Sequence, residues 1–189
     1  ICCSGQSTEG ALLKFLETKA LNYLKIRQKY SVLRQLTFST ERKYMATDVE
    51  HNETKKRYIY VKSAPEVILE KCYDLPYSGG KDLLNNHLPT IQNSVKSYQS
   101  RGMRVIGFGC LQLEDGNNHS VQLESLPNQL TWLGFTAIED PVRHDVPNAI
   151  YECKNAGIDI KIITGDNPAT AVEIGRQIHL FGSKEVDAD

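Results

Sequence analysis

Residues 43–62 read KYMATDVEHNETKKRYIYVK, and they decide the fold class of the N-terminal part of the chain. Two runs with β-branched and aromatic residues, 43–49 and 57–62, flank the polar stretch 50–56. Strand-forming runs on either side of a polar turn predict a β-hairpin. The run 31–38 that leads into the hairpin is also strand-like, so we expect an antiparallel sheet.

The segments around this hairpin are predicted mainly as helices. Apolar residues recur at helical spacing over 7–24, and again between Pro89 and Gly102. Pro65 suits the first turn of a short helix. Residues 103–113 form an apolar strand pattern, whereas residues 74–87 hold prolines and glycines and are predicted to be a loop.

The pattern of predicted elements changes after a polar loop that ends near residue 129. Apolar strands are predicted over 131–138 and 158–163, and each is followed by a helical pattern. Alternating strands and helices with short joints predict a parallel α/β layer. The predicted fold class is therefore α/β, with an antiparallel sheet and flanking helices over 1–125 and a partial parallel layer over 126–189.

Composition sets limits on the function. The chain has 189 residues, of which 40% are hydrophobic and 24% are charged, and its formal net charge is −1. A near-neutral domain has no electrostatic basis for binding nucleic acid or an anionic membrane. Without a signal peptide or an apolar run long enough to span a bilayer, we expect a soluble chain. The five cysteines include no C-x-x-C pair, so we expect reduced thiols and no metal site.

Polar residues follow both predicted strands of the second part. Asp140 and Arg143 come after the first strand, and Thr164, Gly165 and Asp166 come after the second. Ligands of open α/β sheets bind beyond the carboxyl ends of strands. A hydroxyl, a glycine backbone and a forked guanidinium at that edge indicate phosphate binding. The alternative is ordinary turn chemistry, with Asp140 as a helix cap.

These two segments resemble the D-P-x-R and T-G-D signatures of P-type ATPases, whose phosphorylation domain belongs to the haloacid dehalogenase superfamily. Further segments resemble motifs of the nucleotide-binding domain of that family, in the same order: S-T-E-G-A-L at 7–12, F-S-T-E-R-K-Y-M at 38–45, K-S-A-P-E at 62–66 and G-M-R-V-I-G at 102–107. The likeness runs through nearly the whole chain. It is closest to pumps that move calcium and related cations.

The resemblance implies an ATP site in the first part of the chain, formed by Glu9, Phe38, Arg42, Lys43, Lys62, Ser63 and Arg104. Glu9 would accept a hydrogen bond from the adenine amine, and Phe38 would stack on the adenine ring. The stem of Lys62 would line the pocket, beside a serine where the family motif has glycine. Arg42 and Lys43 would place positive charge near the phosphates, and Arg104 would contact phosphate or ribose. Taken singly, each of these residues also has an ordinary structural explanation.

The resemblance implies further roles for the second part, all within the parent protein. Asp140 and Arg143 would help close the nucleotide onto the phosphorylation domain. Thr164 would contact the transferred phosphoryl group, with Gly165 and Asp166 beside it in the hinge and phosphate region.

The family's D-K-T-G-T and G-D-G-x-N-D motifs are absent from this sequence. We therefore expect a fragment that binds ATP but does not turn it over. The parent would use ATP and Mg²⁺ to form an aspartyl-phosphate and drive cation transport, with this part on the cytoplasmic face of a membrane. The fragment's partners would be the phosphorylation, actuator and transmembrane domains of the same polypeptide, without direct membrane contact.

Two other functions stay open at this point. A haloacid-dehalogenase-type phosphatase would need paired catalytic carboxylates after a strand, and residues 114–116 offer none. A non-catalytic interaction module would use Phe38, Lys62 and Arg104 only as packing or surface residues.

Overall fold

A single sheet of seven strands organises the chain, whose computed structural model describes residues 7–113, 121–139, 142–163 and 168–181. The strands lie in the order β1-β2-β3-β6-β7-β4-β5. Their bounds are β1 Tyr30–Leu36, β2 Tyr44–His51, β3 Arg57–Ser63, β4 Cys72–Tyr77, β5 Gly80–Leu83, β6 Arg104–Leu113 and β7 Leu130–Ile138.

Six α-helices and a 3₁₀ turn at Leu84–Asn86 accompany the sheet in the described residues: α1 Ser7–Thr18, α2 Tyr23–Arg27, α3 Pro65–Leu69, α4 Leu88–Gln99, α5 Val146–Asn155 and α6 Pro168–Gln177. Backbone contacts divide the chain into two compact units, residues 1–91 with 105–136 and residues 92–104 with 137–189. The boundary expected between residues 125 and 126 stays a prediction.

The predicted hairpin is confirmed as β2 and β3. These strands pair antiparallel from Tyr44 opposite Ser63 to Glu50 opposite Arg57, and β3 pairs antiparallel with β6. β4 pairs parallel with β7, where Cys72 lies opposite Leu130. The mixed α/β class with a mostly antiparallel sheet and flanking helices is therefore confirmed.

One face of the hairpin supplies much of the core. Successive strand residues point to opposite faces of a sheet, so alternate residues of β2 and β3 are buried together. They pack with α3, β7 and the 121–130 segment in a cluster that includes Tyr44, Ala46, Ile59, Val61, Ile68, Leu126, Leu130 and Trp132.

Gly107 on β6 is required by close packing. A Cβ at this position would lie 2.9 Å from Cζ3 of Trp132 and 3.0 Å from Cα of Pro65. Contacts that short force a neighbour to move, so glycine lets β7 and the start of α3 approach β6.

A carboxylate is buried within the same sheet. Asp48 on β2 is 0% exposed. Its Oδ2 accepts hydrogen bonds from Nη2 of Arg34 at 2.8 Å and from Nη2 of Arg57 at 2.6 Å. Two guanidinium groups therefore compensate the desolvation of one carboxylate.

The predicted first helix is wrong in its length. α1 ends at Thr18, and Ala20 has a φ of 54°. The amide of Leu21 donates to the carbonyl of Leu16, and the amide of Ala20 donates to that of Glu17, which is the bonding pattern of a Schellman helix end. Asn22 then caps α2 through a hydrogen bond from the amide of Lys25.

The loop predicted over 74–87 is also wrong. β4 and β5 form a hairpin there, with Tyr77 opposite Gly80. Its two-residue loop has a φ of 42° at Ser78 and 84° at Gly79. Positive φ at both central residues is the geometry of a type I′ turn, which matches the twist of paired strands.

The strand predicted over 158–163 does not form. Residues 158–163 do not pair as a strand in the described part of the chain, and the side chain of Ile163 is 97% exposed. An extended segment becomes a strand only when a neighbour accepts its backbone hydrogen bonds, and apolar composition does not supply that neighbour. The predicted strand before it is confirmed as β7, but β7 belongs to the seven-stranded sheet.

Candidate functional site

The candidate site lies where β2 begins and β3 ends. Lys62 is opposite Met45 on β2 and Phe108 on β6. Directly opposed residues of antiparallel strands share one face of the sheet, so the lysine stem lies between a thioether and an aromatic ring. Met45, Lys62 and Phe108 are all half-buried.

Glu9 in the first turn of α1 reaches this face. Its Oε1 accepts a hydrogen bond from Nζ of Lys62 at 2.5 Å. This bond holds the pKa of the Glu9 carboxyl below its usual value, so the group is a carboxylate at neutral pH. Oε2 of Glu9 is buried and has no hydrogen-bond partner among the described residues. A buried acceptor without a donor is costly, so a ligand that brings a donor to this oxygen is favoured.

The turn between β1 and β2 presents an aromatic ring. Phe38 is 59% exposed. Two hydrogen bonds close the turn after it: the amide of Lys43 donates to the carbonyl of Ser39 at 2.7 Å, and the amide of Arg42 donates to the hydroxyl of Ser39 at 3.2 Å. Lys43 has a φ of 62°.

Arg42 leaves one donor open. Its Nη2 donates to the carbonyl of Thr37 at 3.3 Å. Its Nε is buried and has no acceptor in the described part of the chain. Ser63 connects the turn to β3, because its hydroxyl donates to the carbonyl of Lys43.

The structure thus joins most of the residues predicted for the first part. Glu9 and Lys62 form an ion pair, Ser63 and Lys43 share a hydrogen bond, and Arg42 and Phe38 belong to the same turn. Phe108 and Ser39 were not predicted as site residues. Only the strand register reveals Phe108, and only the closure of the turn reveals Ser39.

The other predicted residues are Arg104, Arg143 and four residues outside the described ranges. Arg104 is exposed at the first residue of β6 and falls in the second compact unit. Asp140, Thr164, Gly165 and Asp166 lie outside the described residues.

Arg143 is exposed and forms a local ion pair. Its Nη2 lies 2.5 Å from Oδ2 of Asp145, and this bond lowers the pKa of the Asp145 carboxyl. Asp145 is the residue before α5, but its side chain binds Arg143 and does not cap the helix. The guanidinium fork is available to a phosphate only if this pair opens.

The two cysteines Cys72 and Cys110 are not reactive thiols. Burial raises the pKa of Cys72 to about 12 and that of Cys110 to about 11, so both thiols stay protonated and unreactive at neutral pH. Among the described residues, no group of three or more potential metal ligands occurs.

The arrangement suits a flat ring that carries a hydrogen-bond donor and an anionic tail. The exposed ring of Phe38 offers a stacking surface, and Oε2 of Glu9 offers an acceptor. Arg42 and Lys43 add positive charge in the turn that carries Phe38. These side chains have the chemistry to bind and orient such a ligand.

Sequence comparison defines the class of protein. The family model described as P-type ATPase, cytoplasmic domain N, matches residues 2–145. Since this match covers most of the chain, the chain belongs to the P-type ATPase family.

The curated relatives that match the chain are named as cation-transporting ATPases. It is 31% identical over 97% of its length to the sodium/potassium-transporting ATPase subunit alpha-A of Artemia franciscana, and 33% identical over 94% to the calcium-transporting ATPase of Bacillus subtilis (strain 168). It is 31% identical over 91% to the calcium-transporting ATPase PAT1 of Dictyostelium discoideum. The chain spans 19%, 20% and 15% of these relatives. Within the described ranges no helix has the length and apolarity of a membrane span.

Proposed function

We propose that this chain is the ATP-binding module of a cation-transporting P-type ATPase, and that its site holds the adenine of ATP against β2 and β3. The observation that carries the proposal is Oε2 of Glu9. This oxygen is a buried acceptor without a partner among the described residues, while Oε1 of the same carboxylate binds Lys62. The exocyclic amine of adenine is a donor that would satisfy this oxygen.

The other contacts of the base follow from the same geometry. Phe38 is mostly exposed on a closed turn, so its ring is free to stack on a purine. Lys62 has its stem between Met45 and Phe108, which gives the ring an apolar edge.

The phosphate chain would lie toward the turn. Arg42 has a buried Nε without an acceptor, and the exposed Lys43 follows it. Charge-assisted hydrogen bonds to phosphate oxygens are among the strong ones that a guanidinium makes. When bound, ATP supplies the phosphoryl group, and these side chains only hold and orient it.

The whole parent protein extends the proposal. We propose that it couples ATP hydrolysis, with Mg²⁺ and an aspartyl-phosphate, to cation transport, with this module on the cytoplasmic side. In that setting Arg104, Asp140, Arg143 and the segment Thr164–Asp166 keep the phosphate and hinge roles that the resemblance implies. The module's partners are then the phosphorylation, actuator and transmembrane domains.

The transported ion is proposed to be calcium or a related cation. The support is the sequence likeness at T-E-G-A-L, F-S-x-x-R-K and D-P-V-R. Relatives named for calcium and relatives named for sodium and potassium match this chain at similar identity, so the ion needs its own test.

The ATP site is tested by calorimetric titration of the purified chain with ATP. Phe38→Ala is expected to weaken binding about tenfold, because stacking a base on an aromatic ring contributes about 1–3 kcal/mol. Tyr73→Ala is the matched control, since Tyr73 is another exposed aromatic, 61% accessible, and lies outside the site on β4.

Equal affinities for Phe38→Ala and wild type, with native circular dichroism, would refute the proposed adenine contact. No saturable binding by a well-folded wild type would favour the non-catalytic interaction module instead.

A further inference from the structure

Ser63 is a buried hydroxyl at the edge of the site. It is the last residue of β3, is 6% exposed, and lies opposite Tyr44 on β2 and Gly107 on β6. Its side chain points to the core face, away from the face of Lys62. A buried hydroxyl needs a partner, and this one donates its hydrogen to the carbonyl of Lys43.

The acceptor belongs to a residue in an unfavourable backbone conformation. Lys43 has a φ of 62°, in the left-handed region, where a Cβ costs about 1–2 kcal/mol relative to the right-handed one. Lys43 lies one residue before the paired part of β2, whose ladder with β3 begins at Tyr44 opposite Ser63. The Ser63 hydroxyl therefore extends the contact between β3 and this segment by one residue.

The hydroxyl also reaches the turn from outside it. The other hydrogen bonds recorded for the turn are local, from Lys43 to Ser39 and from Arg42 to Ser39 and Thr37. Among the described residues, the hydrogen bond from Ser63 is the one that joins this turn to a side chain on β3. Because Phe38, Arg42 and Lys43 all belong to the turn, their positions relative to Glu9 and Lys62 depend on that bond.

We propose that Ser63 is a positioning residue of the nucleotide site: its hydroxyl fixes the turn of residues 37–43 and thereby holds the ring of Phe38 and the cations of Arg42 and Lys43 in place for ATP. Ser63 does not contact the ligand itself, because its hydrogen is committed to Lys43 and its side chain is buried. The inference rests on the proposed ATP site.

The test compares Ser63→Ala with Tyr44→Phe in the full chain. Each variant removes one buried hydroxyl that donates to a backbone carbonyl, since the Tyr44 hydroxyl donates to the carbonyl of Leu123 at 2.8 Å. Both are therefore expected to lower stability against urea by a similar amount. Only the Ser63 bond leads to the turn, so only Ser63→Ala is expected to weaken ATP binding, by about fivefold.

A second readout reports the turn directly. The amide of Lys43 donates to Ser39, and its hydrogen exchange is expected to speed up in Ser63→Ala and to stay unchanged in Tyr44→Phe. If Ser63→Ala does not fold, Ser63→Gly also removes the hydroxyl and is measured in its place.

The outcomes separate the two proposals. If wild type binds ATP while Ser63→Ala keeps both its affinity and its Lys43 exchange rate, this inference is wrong and the ATP site stands. If both variants lose affinity alike, the effect is general destabilisation and the inference is wrong. If wild type does not bind ATP at all, both proposals fall.

Discussion

Asp48 shows how one residue depends on its neighbours. Its carboxylate has no solvent exposure, while Arg34 and Arg57 keep 42% and 22% of their side-chain surface exposed. The arginines therefore retain some hydration, and the desolvation penalty falls mainly on Asp48. Removing the carboxylate would leave two guanidinium groups facing each other without a counter-charge.

Asp48→Asn is expected to lower the free energy of unfolding by about 2–4 kcal/mol, because the variant keeps the shape and loses the charge. Glu50→Gln on the same strand is the control, since its pair with Lys55 is exposed and contributes less than about 0.5 kcal/mol. Urea unfolding of both variants measures the difference. Equal losses would show that the burial of Asp48 has no energetic consequence.

Motifs identified candidate site residues by type but not by contact. Glu9, Phe38, Lys62 and Ser63 were singled out from the sequence, and the structure brings Glu9 to Lys62 and Ser63 to the turn of Phe38. The sequence does not show which of these residues contact each other. Which oxygen of Glu9 stays open, and which carbonyl Ser63 holds, depend on strand register and backbone angles that no local pattern encodes.

At the scale of elements, the helix ends differ in their chemistry. α4 and α5 are followed by Gly102 and Gly157, with φ values of 75° and 73°. Glycine adopts this conformation without a Cβ clash, and the helical pattern after Pro89 was predicted to end at Gly102. α1 reaches the same conformation at Ala20, which is why its end was missed.

Ala20→Gly is expected to stabilise the chain by about 0.5–1 kcal/mol, because it removes the left-handed penalty and adds only the smaller entropic cost of glycine. Ala11→Gly within α1 is the control and is expected to destabilise by about 1 kcal/mol. Thermal unfolding of the two variants measures whether each change in stability is a gain or a loss. A loss of stability in Ala20→Gly would contradict the helix end described here.

The other missed elements have a common physical cause. The hairpin of β4 and β5 depends on a positive φ at Ser78, and a serine does not indicate that conformation in a sequence pattern. Residues 158–163 have the composition of a strand but no strand pairing in the described residues. Apolar composition indicates that a segment is buried. Whether the segment forms a strand depends on a pairing partner elsewhere in the chain, which local composition does not identify.

At the scale of the whole molecule, the prediction concerns the transported ion. The chain spans 19% and 20% of two of its relatives, so the calcium proposal is tested on the full-length parent.

Membrane vesicles that carry the full-length parent are expected to accumulate Ca²⁺ when ATP is added, as the calcium proposal requires. The same parent with Phe38→Ala is expected to transport more slowly at low ATP and to recover at high ATP, because only nucleotide affinity changes. ATP hydrolysis that requires Na⁺ and K⁺ together and ignores Ca²⁺ would overturn the calcium proposal.

The strand order has a consequence for synthesis on the ribosome. β1, β2 and β3 are neighbours in both sequence and space, so this meander can pair as soon as it emerges. β4 and β5 are made next, but they join the sheet only through β7, which is completed at Ile138. Until then, the nascent hairpin has no sheet to extend and its apolar face stays uncovered. A pause in translation between residues 83 and 130 would prolong the interval in which a chaperone has to protect that face.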